Sequence, residues 1–395
     1  MVIKGAKVVR ESGVEEIDVR IEEGKIVELG TALPGDTFDA HGKYLLPGMI
    51  DIGVMVYDGK LRGGTLEKLS KKACANGFST VVLSSLCTPR IDNEITLEFA
   101  KSQAELCRET NILTLLSGVN EAGGLSDCSI LLKDGAVGIE FESHVDGNLI
   151  RRLMEYAQMH DVTLFCHAND PALQGDGVMH EGEISGRLGL AGIPPLGESS
   201  QVARIGEFAK RYGVDVVILG ASTIETVEIC RKNPHLKAQL SLHHLMLTDA
   251  ACDDYDTSGK IWPPLRDDTT RHALVEAVKK GDVPMLTSLH SPVSRTAKDA
   301  VFSEAAYGID GMNIFLPMLY TTLVKPGFLT MTDLTKLTSF NAAGVIGQQD
   351  QRGAIEEGYM GEMILFDPDA LCTVDDRHSP YSGRTFHGAV EKIEI

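Results

Sequence analysis

The sequence predicts a (β/α)8 barrel carrying a small β-sandwich built from both chain termini. Two observations predict it. Through the centre, eight short apolar runs alternate with helix-length amphipathic segments, the rhythm of parallel strands joined by crossover helices. At both ends the rhythm changes to short strands separated by turns. A chain of 395 residues has room for a large domain and a smaller one.

At the N-terminus, residues 2–3, 7–9, 17–21 and 25–29 read as short antiparallel strands, with Gly24 and Gly30 at turns. Residues 354–355, 363–366, 389–390 and 393–395 return to the same style. The composite β-domain is therefore placed at 1–49 and 346–395, and the barrel at 50–345. Its strands are predicted at 48–55, 79–84, 112–116, 136–141, 162–167, 214–219, 238–243 and 283–289. Candidate helices lie at 65–75, 94–108, 148–159, 200–212, 223–232 and 270–280. A doubly wound open sheet is the alternative. It would show fewer strands and often a glycine-rich phosphate loop, and no G-x-G-x-x-G or Walker A motif occurs.

Composition narrows the function classes. Hydrophobic content of 43% and charged content of 24% are those of a soluble globular protein. The net charge of -19 repels phosphate backbones and anionic membrane faces, which argues against nucleic-acid and membrane binding. No apolar run reaches the roughly 18 residues of a membrane span. The first residues lack the pattern of a secretory signal. Eight cysteines without a C-x-x-C pair are expected as free thiols in a reducing cytoplasm.

Several segments carry a family resemblance. They are Leu46-Pro47-Gly48-Met49-Ile50-Asp51, Glu181-Gly182-Glu183-Ile184-Ser185, and Leu188-Gly189-Leu190-Ala191-Gly192-Ile193-Pro194 with Val202-Ala203-Arg204. Tyr255-Asp256-Thr257 with Lys260 and Pro263-Pro264-Leu265-Arg266, then Leu316-Pro317-Met318-Leu319-Tyr320 and Ser339-Phe340-Asn341, complete the set. In order and spacing the chain resembles dihydroorotases of the amidohydrolase superfamily, the class that associates with aspartate transcarbamoylase.

The resemblance implies a site. Working dihydroorotases hold two zinc ions, using a D-x-H-x-H pair after strand 1, a carboxylate or carboxylated lysine on strand 4, histidines after strands 5 and 6, and an aspartate after strand 8. Imidazole and carboxylate suit zinc, and the metal lowers the pKa of its bound water to about 7 for attack on an amide. Here strand 1 reads Asp51-Ile52-Gly53-Val54-Met55, so Gly53 and Met55 stand at the two histidine positions. Glu140 or Glu142 takes the strand 4 position, and His167 is kept on strand 5. Gly220 replaces the strand 6 histidine, and Ser288 or Leu289 replaces the aspartate, with His290 beside it. The substrate-clamping positions fall on Tyr57, Leu86 and Trp262.

Gly53, Met55, Gly220 and Ser288 are thus vestigial positions, and neither catalytic residues nor a metal is expected. The alternative is a rearranged zinc site from His167, His243, His290 and Glu140 or Glu142. A third reading is a metal-free pocket holding a small ligand against Tyr57, Leu86, Trp262 and His290. Asp256, Lys260 and Arg266 are expected to be structural, the His243-His244 pair likewise, and His180 to lie at the surface. The resemblance to non-catalytic homologues implies a protein of pyrimidine biosynthesis, oligomeric and partnered with the aspartate transcarbamoylase catalytic subunit.

Overall fold

The computed structural model describes residues 1–393. Eight parallel barrel strands run Met49–Val54, Phe78–Leu83, Asn111–Thr114, Ile139–Glu142, Leu164–His167, Val216–Ala221, Leu236–Ser241 and Met285–Thr287. Each falls on a predicted run. The third strand continues through Leu116–Ser117, which pairs with the fourth and so joins two ladders. Between the eighth strand and the first no ladder forms among the described residues.

Alternation along the strands sorts side chains into two layers. Ile50, Ile52, Val82, Phe165 and Val217 pack inside the barrel. Ile139, Phe141, Leu164, Cys166 and Ile218 belong to the core shared with the helices. Cys166 therefore faces away from His167, as adjacent strand residues must without a bulge.

The helices start where local chemistry permits. Thr65–Ala75 matches its predicted span. Asp267 accepts a hydrogen bond from Thr270 N and starts the helix Asp268–Lys279 slightly ahead of prediction. Leu196–Tyr212 also begins earlier, directly after Pro194-Pro195.

Both termini build the second layer. One sheet orders Lys25–Gly30, Asp18–Glu22, Val2–Lys4 and Thr37–Asp39. The other orders Thr385–Lys392, Met363–Thr373, Tyr44–Pro47, Lys7–Arg10 and Gly13–Glu16. Ile3, Val8, Val19, Ile26, Leu45 and Leu365 form their shared core. Of the predicted strand 393–395, Glu394 and Ile395 lie outside the described residues. No helix among the described residues is long and apolar enough to cross a membrane.

Candidate functional site at the barrel mouth

The mouth is built from residues at the C-terminal ends of the strands, where (β/α)8 proteins place their chemistry. Glu140, the second residue of the strand Ile139–Glu142, is fully buried. It accepts from the Ser84 hydroxyl at 2.8 Å, the Ser85 amide at 2.5 Å and the Ser85 hydroxyl at 2.6 Å. His167 Nε2 lies 2.7 Å from its other side. Burial opposes the Glu140 charge, but the His167 contact and the two serines outweigh it and hold its pKa below the usual carboxylate range. The two glutamates left open by the sequence are now separated. Glu140 meets His167, whereas Glu142 faces Arg90 at 3.9 Å.

Two of the vestigial positions are glycines beside apolar groups. Gly53 has φ +85°, and a side chain there would reach Leu219 Cδ2 at 3.5 Å. Gly220 has φ +63°, and a side chain there would meet Pro263 Cδ at 3.2 Å and Leu289 Cδ1 at 3.3 Å. Both backbones occupy the left-handed region that disfavours a residue with a Cβ. Ser288 donates to Asp51, as does Thr287 at 2.6 Å. Burial raises the Asp51 pKa against those two hydrogen bonds.

His243 and His290 belong to a different cluster. His243 Nδ1 pairs with the Tyr381 hydroxyl at 2.8 Å, its Nε2 is unpartnered, and burial pulls its pKa down to about 3. His290 Nδ1 lies 3.3 Å from Asp310 Oδ1. No hydrogen bond or ion pair connects these residues to Glu140 or His167. The proposed convergence of His167, His243, His290 and a strand 4 glutamate does not form, because the paired histidine sits on the short helix Leu242–Met246, inside the core. Among the described residues no three His, Cys, Asp or Glu side chains converge. A catalytic zinc site generally requires three protein donors. With glycine at two ligand positions and both Glu140 oxygens engaged, the residues present do not fit the two-metal centre.

The remaining candidates are divided. Tyr57, 53% exposed, and His290, buried, line a cavity of about 650 Å³ together with Met55. Leu86 and Trp262 are half-buried and do not line it, and Trp262 packs edge-on against Tyr307 at 5.8 Å. The expectation for His180 is corrected. It is buried, its ring stands 3.4 Å from Arg266 Nη1, and burial together with that guanidinium lowers its pKa to about 4.

The structural readings have physical content. Buried Lys260 donates to the carbonyls of Phe302, Ser303 and Ala305. Buried Arg266 faces Glu198 at 3.7 Å and donates to Ser222 and Ile193 O. Asp256 accepts from Ser258 N in a turn. His244 Nδ1 meets the Ser241 hydroxyl at 2.7 Å, while Nε2 approaches the Pro263 and Pro264 carbonyls. Sequence reasoning missed Ser84, Ser85, Glu198, Asp310 and Tyr381. The serines were findable, because they end a predicted strand; Tyr381, distant in sequence, carried no local signal.

Comparison with known proteins bears on this geometry. Residues 42–228 match the family model described as Dihydro-orotase-like. The dihydroorotase of Thermoanaerobacter sp. (strain X514) is 31% identical, over 99% of this chain and 95% of that protein. The dihydroorotase of Geobacter metallireducens is 32% identical, over 98% of this chain and 96% of that protein. Among solved structures, L-hydantoinase (dihydropyrimidinase) from Arthrobacter aurescens superposes with TM-score 0.87 at 20% identity, covering 98% of this chain and 93% of that one. Dihydropyrimidinase from Brevibacillus agri gives 0.85 at 20% identity, covering 98% and 92%. At that identity the likeness speaks for the barrel and sandwich fold.

Proposed function

The chain belongs to the dihydroorotase family, and from that premise we propose that it serves pyrimidine biosynthesis as a non-hydrolytic member, a structural partner of the aspartate transcarbamoylase catalytic subunit. The observation that carries the reading is the loss of donors at the ligand positions. Gly53 and Gly220 offer no donor, both hold a left-handed backbone, and Pro263 and Leu289 crowd the space a side chain at Gly220 would enter. Glu140, the strand 4 carboxylate, spends its lone pairs on Ser84, Ser85 and His167. On this reading the barrel is kept as a rigid body and its outer surface carries the work. The identity of the partner rests on the resemblance to non-catalytic homologues.

A second reading is active cyclic-amide hydrolysis, interconverting dihydroorotate and N-carbamoyl-aspartate with a rebuilt zinc site. Similarity at 31% identity over 99% of the chain to proteins named dihydroorotase favours it, as does the contact of two donors, Glu140 and His167, at the mouth.

Turnover of dihydroorotate by the purified protein with zinc supplied separates the two, beside His167→Ala. The first reading expects no rate above the variant, together with co-purification of the aspartate transcarbamoylase catalytic subunit. Turnover that His167→Ala abolishes replaces it with the second. A protein that neither turns over nor associates with that subunit removes the partner assignment.

A further inference from the structure

A second cavity, of about 500 Å³, opens at the end of the barrel opposite the mouth, where the strands begin. Its walls are the end of the helix Thr65–Ala75, the starts of the second and third barrel strands at Phe78 and Asn111, the segment 107–110, and residues 360–364 entering the strand Met363–Thr373. No position that the family resemblance assigns to metal or substrate lines it.

Sulfur distinguishes this cavity. Cys74, Cys107 and Met360 line it, all three half-buried. Of the other six cysteines, five are buried and Cys372 is half-buried, and none lines it. A buried cysteine acts as a small hydrophobe, whereas a thiol at a cavity wall is open to metal chemistry. Met363 borders the cavity too but packs into the sandwich core.

The two thiols belong to one wall. Ser70 lies one turn before Cys74, on the same helix face. Its hydroxyl stands beside the Cys107 thiol. That hydroxyl accepts from Thr110 N at 3.1 Å, while Thr110 Oγ1 donates to Ser70 O at 3.0 Å and to Phe78 O at 3.1 Å. Residues 107–110 are thereby fixed against the helix end that carries Cys74.

The surroundings favour a cation. Glu109 also lines the cavity, and its carboxylate meets only the Ser70 hydroxyl at 3.4 Å and Arg108 N at 3.3 Å. Burial, with the Glu109 and Glu67 charges, pushes the Cys107 thiol pKa up against the Ser70 hydroxyl. A bound cation reverses that bias. The donor set selects the ion. No histidine lines the cavity, and among the described residues no three His, Cys, Asp or Glu side chains converge, so a four-donor zinc site is not on offer. Thiolate and thioether donors select copper(I).

We propose that Cys74 and Cys107, with Met360 as a third sulfur, form a copper(I) site on the face of the barrel opposite the mouth. Both cysteines bind as thiolates: two S–H bonds break, two Cu–S bonds form and two protons leave to solvent. No electron is transferred. The bis-thiolate complex carries one negative charge, which exposed Arg108 at the cavity wall offsets. The site goes beyond the family function and does not depend on whether the mouth is catalytic.

Anaerobic titration of the full chain with copper(I), in competition with the chelator bicinchoninate, tests it. One ion per chain is expected. Affinity should fall at least about tenfold in Cys74→Ser/Cys107→Ser, and by less in Met360→Leu, while Cys372→Ser keeps the wild-type value. His167→Ala should leave uptake unchanged, which separates this site from the mouth. A second measurement uses the wild type alone: copper(I) should protect Cys74 and Cys107 from iodoacetamide, mapped by peptide mass, and leave Cys372 reactive. Failure to take copper(I) from the chelator would overturn the proposal. So would uptake that ignores the double variant, alkylation of the two thiols that ignores copper(I), or equal protection of them by zinc(II).

Discussion

Ser288 donates its hydroxyl hydrogen to Asp51 across the one place where the barrel has no backbone ladder among the described residues. Thr287 makes the parallel contact at 2.6 Å, and Gln239 Nε2 donates to Ile52 O at 3.1 Å. One of the two positions that family resemblance offers for a catalytic base has become part of a side-chain seam joining the last strand to the first.

Ser288→Ala should therefore destabilise the fold by about 1–3 kcal/mol, since it strips a buried acceptor of a partner. Ser288→Asp should be worse than Ser288→Ala, because two buried carboxylates would share the seam. Urea unfolding of both variants checks the order. Equal stability of Ser288→Asp and wild type would mean that Asp51 is neutral and can serve as a donor.

Putting ligands back should fail at the backbone. Gly53→His and Gly220→His place a Cβ at φ +85° and +63°, about 1 kcal/mol or more each from conformation alone. At Gly220 the added Cβ also presses on Pro263 Cδ at 3.2 Å and Leu289 Cδ1 at 3.3 Å, so these side chains must shift. The double variant is expected to melt below wild type and to retain far less than one zinc after dialysis. Stoichiometric zinc would show that the mouth can still open.

Acidification should destabilise the protein before its surface carboxylates titrate. Burial lowers the pKa of His180 to about 4, of His243 to about 3 and of His244 to about 4, from 6.5 in the unfolded chain. The unfolded state then binds more protons between those limits. Stability is full above about pH 6.5 and is lost as pH falls toward the folded values, by about 2 kcal/mol per histidine near pH 5. Glu140, with its lowered pKa, acts in the same direction at lower pH, and Asp51, with its raised pKa, acts against it. Urea midpoints measured at pH 7 and pH 5 should differ accordingly; identical midpoints would mean that these imidazoles are hydrated.

Tyr381→Phe should loosen the turn that the β-domain lays on the barrel. Both Tyr381 and His243 are fully buried, and the phenol is the recorded partner of the His243 ring. Losing it leaves an imidazole without hydrogen bonds, at about 1–3 kcal/mol. Hydrogen exchange across 374–384 should accelerate while the sandwich strands stay protected. Unchanged exchange there would assign the turn's order to packing alone.

Strand and helix positions were readable in advance because periodicity is a local property. The apolar run at 162–167 anticipates Leu164–His167, and the amphipathic stretch at 65–75 is a helix over the same residues. The emptied ligand positions Gly53 and Gly220 could also be named from order and spacing alone. Which glutamate meets His167 could not, since Glu140 and Glu142 share a strand face.

What the sequence determined by itself was the architecture and the set of donors available at the strand ends, both carried by residue type and short-range pattern. The tertiary structure alone decided where those donors went. It joined Glu140 to His167, drew His243 into the core against Tyr381, bound Ser288 to Asp51 and gathered Cys74 and Cys107 around one cavity. Partners such as these lie up to 237 residues apart. Their meeting is set by strand order, register and helix packing, which no local run of residues encodes.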